Sequence, residues 1–130
     1  MKEISVRSHS RFEMIDITQS VQKAAREEKI DSGMALVYTP HTTAAVTINE
    51  NADPDVPGDI LAALDRIVPL TANYRHAEGN SAAHVKSSLV GASEMVMIEN
   101  GRLLLGTWQA IFFCEFDGPR TRKIYISFTF

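Results

Sequence analysis

Ile4 and Val6 alternate with polar neighbours, and this two-residue period predicts a half-buried strand. Phe12 to Ile17 reads as a second strand. A helical pattern follows through Val21, Ala24 and Ala25, with Thr18 the expected N-cap and Asp31-Ser32-Gly33 the breaker. Met34 to Tyr38 and Ala44 to Ile48 read as strands. Between them lies Thr39-Pro40-His41-Thr42-Thr43, where Pro40 favours a bend or an edge position. The loop NENADPDVPGDI leads into a second helix, which opens at Asp53-Pro54 or later at Pro57. Ile60, Leu61, Leu64, Ile67 and Val68 give that helix an apolar stripe, and Pro69 stops it.

Asn80 or Ser81 is positioned to cap a short third helix running to about Leu89, which Gly91 ends. In VMIENGRLLL, Asn100-Gly101 fits a type I′ turn between two apolar runs and predicts a hairpin. Gln109 to Phe116 is a further strand, and DGPR a turn. The last strand alternates, with Ile124, Ile126, Phe128 and Phe130 on one face. The predicted order is β-β-α-β-β-α-α-β-β-β-β, an α+β pattern with strands joined mostly by short turns. So much apolar strand surface on a short chain calls for a second layer or a subunit interface, with Phe128 and Phe130 as interface candidates.

Composition narrows the classes. Residues 1–130 are expected to form one domain. The net charge of -3 gives no basic footprint for nucleic acid or an anionic membrane. No apolar run reaches the length of a membrane span, and the N-terminus lacks a signal-peptide core, so a cytoplasmic protein is expected. The single cysteine, Cys114, excludes an internal disulfide and lies in an apolar run, where it reads as a buried small hydrophobe.

The candidate chemistry starts with histidine. His9 sits among serines and arginines and reads as surface. His41 lies at a strand corner, His76 in a loop and His84 in the first turn of a helix. Three such histidines from separate elements could converge on a divalent metal, since three nitrogens plus an open position is how catalytic zinc is held. Separate surface histidines are the alternative. Glu50, Asp53, Asp55 and Asp59 crowd one loop. Helix capping accounts for Asp53 or Asp55, but Glu50 and Asn51 end a strand too early to cap. Gly79-Asn80-Ser81 before a helix offers N–H groups to an anion, as most helix starts do. Arg120 and Arg122 suit phosphate, though a turn is also an ordinary place for solvated arginines. Trp108 reads as a stacking surface for a flat heterocycle or as a core residue. No nucleophile elbow, P-loop or dinucleotide fingerprint occurs.

Three segments in order, HTTAA running into TINENADPDV, YRHAEGNSAAHVKSSLVG, and NGRLLLGTWQAIFFCEFDGPR with the basic strand after it, resemble the YjbQ family, also called UPF0047. The resemblance covers nearly the whole chain, and NGRLLLGTWQ is its best signature. It implies a small α+β domain with a two-sheet β-sandwich, two to three helices and mostly antiparallel strands, assembled as a homotrimer. Members are described as secondary thiamine-phosphate synthases, which join hydroxymethylpyrimidine diphosphate to thiazole phosphate and release pyrophosphate as a weak or side activity.

Carried onto this chain, the family's polar positions are His41, Glu50, Asn51, Asp53, His76, Glu78, Gly79, Asn80, His84, Lys86, Gln109, Glu115 and Arg120. The resemblance raises the weight on a metal site at His41, His76 and His84, with zinc favoured by the nitrogen ligands. Magnesium would instead use oxygens from Glu50, Asp53 and Glu78. Glu50, Asp53, Glu78 and Glu115 are then the candidate catalytic carboxylates, with Glu50 or Glu115 either orienting a histidine N–H or acting as base. Asn51, Asn80, Ser81, Lys86, Gln109 and Arg120 are the candidate contacts to a small phosphorylated substrate. Hydrolysis by a metal-activated water, a trimer that binds a phosphorylated ligand without turnover, and a purely structural subunit are the competing readings.

Overall fold

A computed structural model describes residues 1–129. Phe130 lies outside the described residues, and with it half of the interface expectation at the chain end. The elements are β1 (Lys2–Arg7), β2 (Glu13–Asp16), α1 (Thr18–Glu27), β3 (Gly33–Tyr38), β4 (Ala44–Glu50), α2 (Asp55–Ile67), α3 (Ser81–Val90), β5 (Ser93–Glu99), β6 (Arg102–Leu103), β7 (Gln109–Glu115) and β8 (Thr121–Thr129). Their order is the predicted one, and the fold is α+β. Every paired strand is antiparallel, in a five-stranded sheet β1-β8-β3-β5-β6 and a three-stranded sheet β2-β7-β4.

The two sheets face each other across one core. From the larger sheet come Val6, Ala35, Val37, Val96, Ile98, Ile124 and Ile126. The smaller sheet contributes Ala44, Val46, Ile111 and Phe113, and α1 closes the edge with Val21, Ala24 and Ala25. The opposite face of the smaller sheet is covered as well. Ala45, Ala110, Phe112, Cys114 and Phe116 pack with Ala83 of α3, and Leu61 and Leu64 of α2 lie against them. Strand β7 is therefore buried on both sides, which is why AIFFCEF shows no alternation. Cys114 is the buried hydrophobe its run suggests, and burial pushes its thiol up to about 12.

Three local expectations are corrected. Thr18 is the first residue of α1 rather than its cap: its Oγ1 accepts from the Ile111 N–H at 2.9 Å, tying the helix to β7. Helix α2 starts at Asp55. Asp53 instead accepts from the Asp55 N–H at 2.9 Å as a local turn. Its apolar stripe is only half covered, since no residue of α2 is fully buried and Ile67 is 70% exposed. Asn80 occupies the cap position of α3 but its side chain makes no capping bond; its Nδ2 donates to Asp117 Oδ2 instead. The hairpin expectation holds, with Asn100 and Gly101 both at positive φ (53° and 73°), although β6 pairs over two residues only.

The larger sheet leaves its outer face open. Met34, Leu36 and Tyr38 on β3 and Met95 and Met97 on β5 are exposed there, with Met34 opposite Met97 and Leu36 opposite Met95.

Candidate functional site

The β3–β4 corner, the start of α3 and the β7–β8 turn meet at one end of the sandwich. They enclose a polar cleft of about 470 Å³ lined by His41, Thr43, His76, Glu78, Asn80, His84, Asp117, Arg120 and Arg122. Its foundation is a buried ion pair. Glu115 is fully buried at the end of β7, and Arg122 is 3% exposed on β8. The guanidinium donates through Nε to Glu115 Oε1 at 2.9 Å and through Nη2 to Oε2. Ser8 Oγ donates to Oε1 at 2.7 Å and the Asp117 N–H to Oε2 at 3.0 Å. Burial alone would raise the Glu115 carboxyl. The hydrogen bonds from Arg122, Ser8 and the Asp117 N–H outweigh it and hold the group below its ordinary value. Arg122 Nη2 also donates to Thr43 Oγ1 at 2.8 Å and to the Thr43 carbonyl at 3.3 Å, pinning the corner that carries His41.

Asp117 organises the opposite wall. Its Oδ2 accepts from Asn80 Nδ2 at 2.9 Å and from Arg120 Nη2 at 3.2 Å, and its carbonyl accepts from Arg120 Nε at 2.9 Å. One carboxylate thus joins the β7–β8 turn to the head of α3 and holds the half-exposed Arg120 at the rim. The close chain path depends on Gly118. A Cβ there would collide with the Ser10 carbonyl oxygen and lie 2.7 Å from Ser8 Oγ and 2.8 Å from Glu115 Cγ.

His41 is held in one tautomer. Its Nε2 accepts from the Lys123 N–H at 2.9 Å, so the neutral ring carries its proton on Nδ1. Partial burial is the main cause that keeps the ring neutral, and the positive charges of Arg122, Arg120 and Lys123 add to it against the opposing charge of Glu115. His76 and His84 stand edge to face with ring centroids 5.5 Å apart, and His76 Nε2 is 3.8 Å from Glu78 Oε2.

The three histidines share a wall without forming a metal shell. His41 Nε2 is already committed to a backbone N–H, and among the described residues no group of three or more His, Cys, Asp or Glu side chains is placed to hold one ion.

Of the other expected site residues, Glu78, Asn80 and Arg120 line the cleft, while Glu115 lies beneath it with no histidine among its partners. Ser81 begins α3 beside Asn80. Lys86 is elsewhere: it is 1% exposed, 3.3 Å from Asp65 Oδ1 and over the Phe12 ring at 3.9 Å. Glu50, Asn51, Asp53 and Gln109 belong to the far end of the smaller sheet. Glu50 pairs with Gln109 there, and Asn51 Nδ2 donates to Asp16 Oδ2 at 2.9 Å. With Ala44 at the cleft end of β4 and Glu50 at the other, a rise of about 3.3 Å per residue separates the two groups by about 20 Å. Trp108 is also at that far end and 64% exposed, so it is no core residue.

Sequence reasoning missed Arg122 as a buried residue and Asp117 and Ser8 altogether. The signal for Arg122 was present, because the alternation of Ile124 and Ile126 extends one step back to it. Asp117 and Ser8 had none, since they act through contacts formed only when the strands pair.

A family model described as UPF0047 protein YjbQ-like matches residues 2–129. The UPF0047 protein YugU of Bacillus subtilis is 58% identical over 127 residues, covering 97% of this chain and 96% of that protein. An uncharacterized conserved protein of the same family from Clostridium acetobutylicum superimposes with a TM-score of 0.97 at 53% identity, covering 99% of this chain and all of that one (100%). A conserved hypothetical protein from Thermus thermophilus does so with a TM-score of 0.93 at 37% identity, covering 99% and 100%.

Proposed function

The chain belongs to the YjbQ (UPF0047) family, and from its geometry we propose that the His41–His84 cleft binds the phosphate of a small phosphorylated substrate and serves a transfer in which pyrophosphate departs. The observation that carries this reading is the meeting of His41, Asn80 and the half-exposed Arg120 in one polar cleft above the Arg122–Glu115 pair. Such a site stabilises an anion through preorganised donors. Arg120 offers a guanidinium fixed by Asp117, and His41 a neutral ring with its proton on Nδ1.

The finer reading is a thiamine-phosphate synthase-like reaction, supported by the family resemblance. The C–O bond between the hydroxymethylpyrimidine carbon and diphosphate breaks, the thiazole nitrogen bonds to that carbon, and pyrophosphate leaves. Arg120 and His41 meet the charge growing on the departing oxygens, and His76 or His84 passes a proton to them. The His76–Glu78 pair at the exposed side of the cleft favours one alternative, hydrolysis of a phosphorylated compound by a water held there.

A divalent metal is part of the proposal only through His76 and His84, zinc being the better match to imidazole nitrogen. Phosphate oxygens or a second subunit would have to complete its ligands, and no step above depends on it. Elemental analysis of the wild type against His84→Ala tests this part.

We assign the open face of Met34, Leu36, Tyr38, Met95 and Met97 to subunit contact in a homotrimer. Glu50, Asn51, Asp53 and Gln109 then reach ligand only from a neighbouring subunit. Sedimentation of Met95→Lys tests the assembly, and an unchanged trimer would remove that face from it.

The functional test incubates the protein with the two thiamine precursors and follows pyrophosphate release. Turnover reduced at least about tenfold in Arg120→Ala is expected. Phosphate release from either precursor alone would select hydrolysis. Binding without any turnover would make the protein a ligand binder, and equal turnover in Arg120→Ala would remove the site from the reaction.

A further inference from the structure

The apolar band on the outer face of the larger sheet ends in a different structure on each side. Strands β3 and β5 run antiparallel along it, with Met34 opposite Met97 at one end and Tyr38 opposite Ser93 at the other. Tyr38 is at the cleft end. With Ser88 it lines a pocket of about 460 Å³ that adjoins the cleft through Pro40, His41, Thr42 and His84. At the Met34 end the band runs into the β6–β7 loop, where the Leu104 N–H donates to the Met97 carbonyl at 2.8 Å.

That loop presents apolar side chains to solvent. Leu104 is 51% exposed and Trp108, the chain's one tryptophan, is 64% exposed. The backbone beneath the indole is held in place. The Trp108 carbonyl accepts from the Asn51 N–H at 3.0 Å, the Gln109 N–H donates to the Gly106 carbonyl at 3.1 Å, and the Gln109 side-chain oxygen accepts from the Gly106 N–H at 2.8 Å. A tryptophan presented on a fixed backbone is the side chain that most often anchors a protein–protein contact.

Charge sets the direction of that contact. Asp16, Glu50 and Asp53 stand at the tryptophan end, and none of them forms a salt bridge among the described residues. At the cleft end Arg7 and Arg11 likewise have no carboxylate partner among the described residues. They flank the β7–β8 turn: Arg7 pairs with Thr121 in the strand register, and the Arg11 carbonyl accepts from the Gly118 N–H at 3.1 Å. Two tryptophan ends face to face would set carboxylates against carboxylates. The tryptophan end of one copy on the cleft end of another sets them against guanidinium groups.

We infer that a second copy of this chain docks head to tail along the band, so that its Leu104–Trp108 loop packs on Tyr38 and walls in the mouth of the His41–His84 cleft. Trp108 is then a residue that the cleft receives from its neighbour, since within one chain it lies at the opposite end of the sandwich. Such a contact is heterologous, and each copy both gives and receives the loop, which closes a ring when the rotation allows. The inference rests on the subunit contact proposed for the band and adds its direction and the residue exchanged.

Cross-linking of the full chain tests it. Ser88 beside the cleft and Thr107 beside Trp108 are both exposed, and each is replaced by cysteine, singly and together; Cys114 is buried and stays unreactive. A short bismaleimide cannot join the two positions within one chain, because they lie at opposite ends of a sheet about 20 Å long. The double variant Ser88→Cys/Thr107→Cys is expected to give covalent dimers and larger species, and each single variant only single chains. In the wild type, acrylamide quenches Trp108 fluorescence several-fold less than it quenches N-acetyltryptophanamide. No product from the double variant, equal product from a single variant, or quenching of Trp108 as strong as that of the free compound overturns the docking. Sedimentation separates the two failures: an assembled protein without the cross-link keeps the band as a contact and loses the head-to-tail order, and a protein that sediments as one copy removes both.

Discussion

Removing the charge of Glu115 breaks a buried ion pair from one side. Glu115→Gln keeps the shape of the side chain. It leaves Arg122 buried without a counter-charge, and it turns one acceptor oxygen into a donor that faces the guanidinium and either Ser8 Oγ or the Asp117 N–H. Breaking a buried pair from one side costs about 3–5 kcal/mol. For a chain of this length that lowers the melting temperature by about 10–20 °C at fixed protein concentration. Arg122→Met strands the carboxylate instead and costs a similar amount. In the double variant both charges leave together, so its stability lies within about 2 kcal/mol of the wild type, far above the sum of the single losses. Urea unfolding of all four proteins measures the cycle. Single losses under about 1 kcal/mol, or losses that simply add in the double variant, would refute the buried-pair account. The stable double variant also separates stability from binding. It lacks the Arg122 contacts that pin the Thr43 corner carrying His41, so its phosphate affinity falls while its fold persists.

Other expectations follow from single contacts. His41 is held below its ordinary value of 6.5, so between its folded value and 6.5 the unfolded chain binds more protons. Stability therefore falls as pH drops below about 6.5, and urea midpoints in His41→Gln show less of that fall; an unaltered slope in the variant would assign it to another group. Gly118→Ala pushes a methyl into the Ser10 carbonyl and the Ser8–Glu115 contact, costing about 1–3 kcal/mol by thermal unfolding, and a neutral result would mean the turn can shift freely. Lys86→Met keeps the stem and removes a buried ammonium that does not line the cleft. We expect a stability change under about 1.5 kcal/mol with phosphate affinity intact, whereas weakened phosphate binding would return Lys86 to the site.

The order of the elements was legible because each leaves a periodic signature. The strand alternation of Ile124 and Ile126, the Asn100-Gly101 turn and the stop at Pro69 are all local. The cleft was legible in part for the same reason, since His76, Asn80 and His84 lie within one loop and one helical turn. Lys86 sits two residues after His84, a rotation of about 200° around the helix, which turns it toward Asp65 and away from the cleft. Thr18 looked like a cap because its hydroxyl precedes a helical pattern, but its partner is the Ile111 N–H on a strand distant in sequence. The same holds for Asp117 and Ser8. Their partners come together only through the pairing of β1 with β8 and the meeting of α3 with the β7–β8 turn. Contacts of that kind have no period to read.

If the cleft binds an anion as proposed, the His41 ring reports it directly. That ring can be followed by NMR through a pH titration with and without saturating pyrophosphate. A bound anion offsets the positive charges of Arg120, Arg122 and Lys123, so the account predicts that pyrophosphate moves the His41 titration to higher pH, and that Arg120→Ala reduces the shift. A His41 titration that is the same with and without pyrophosphate would contradict it.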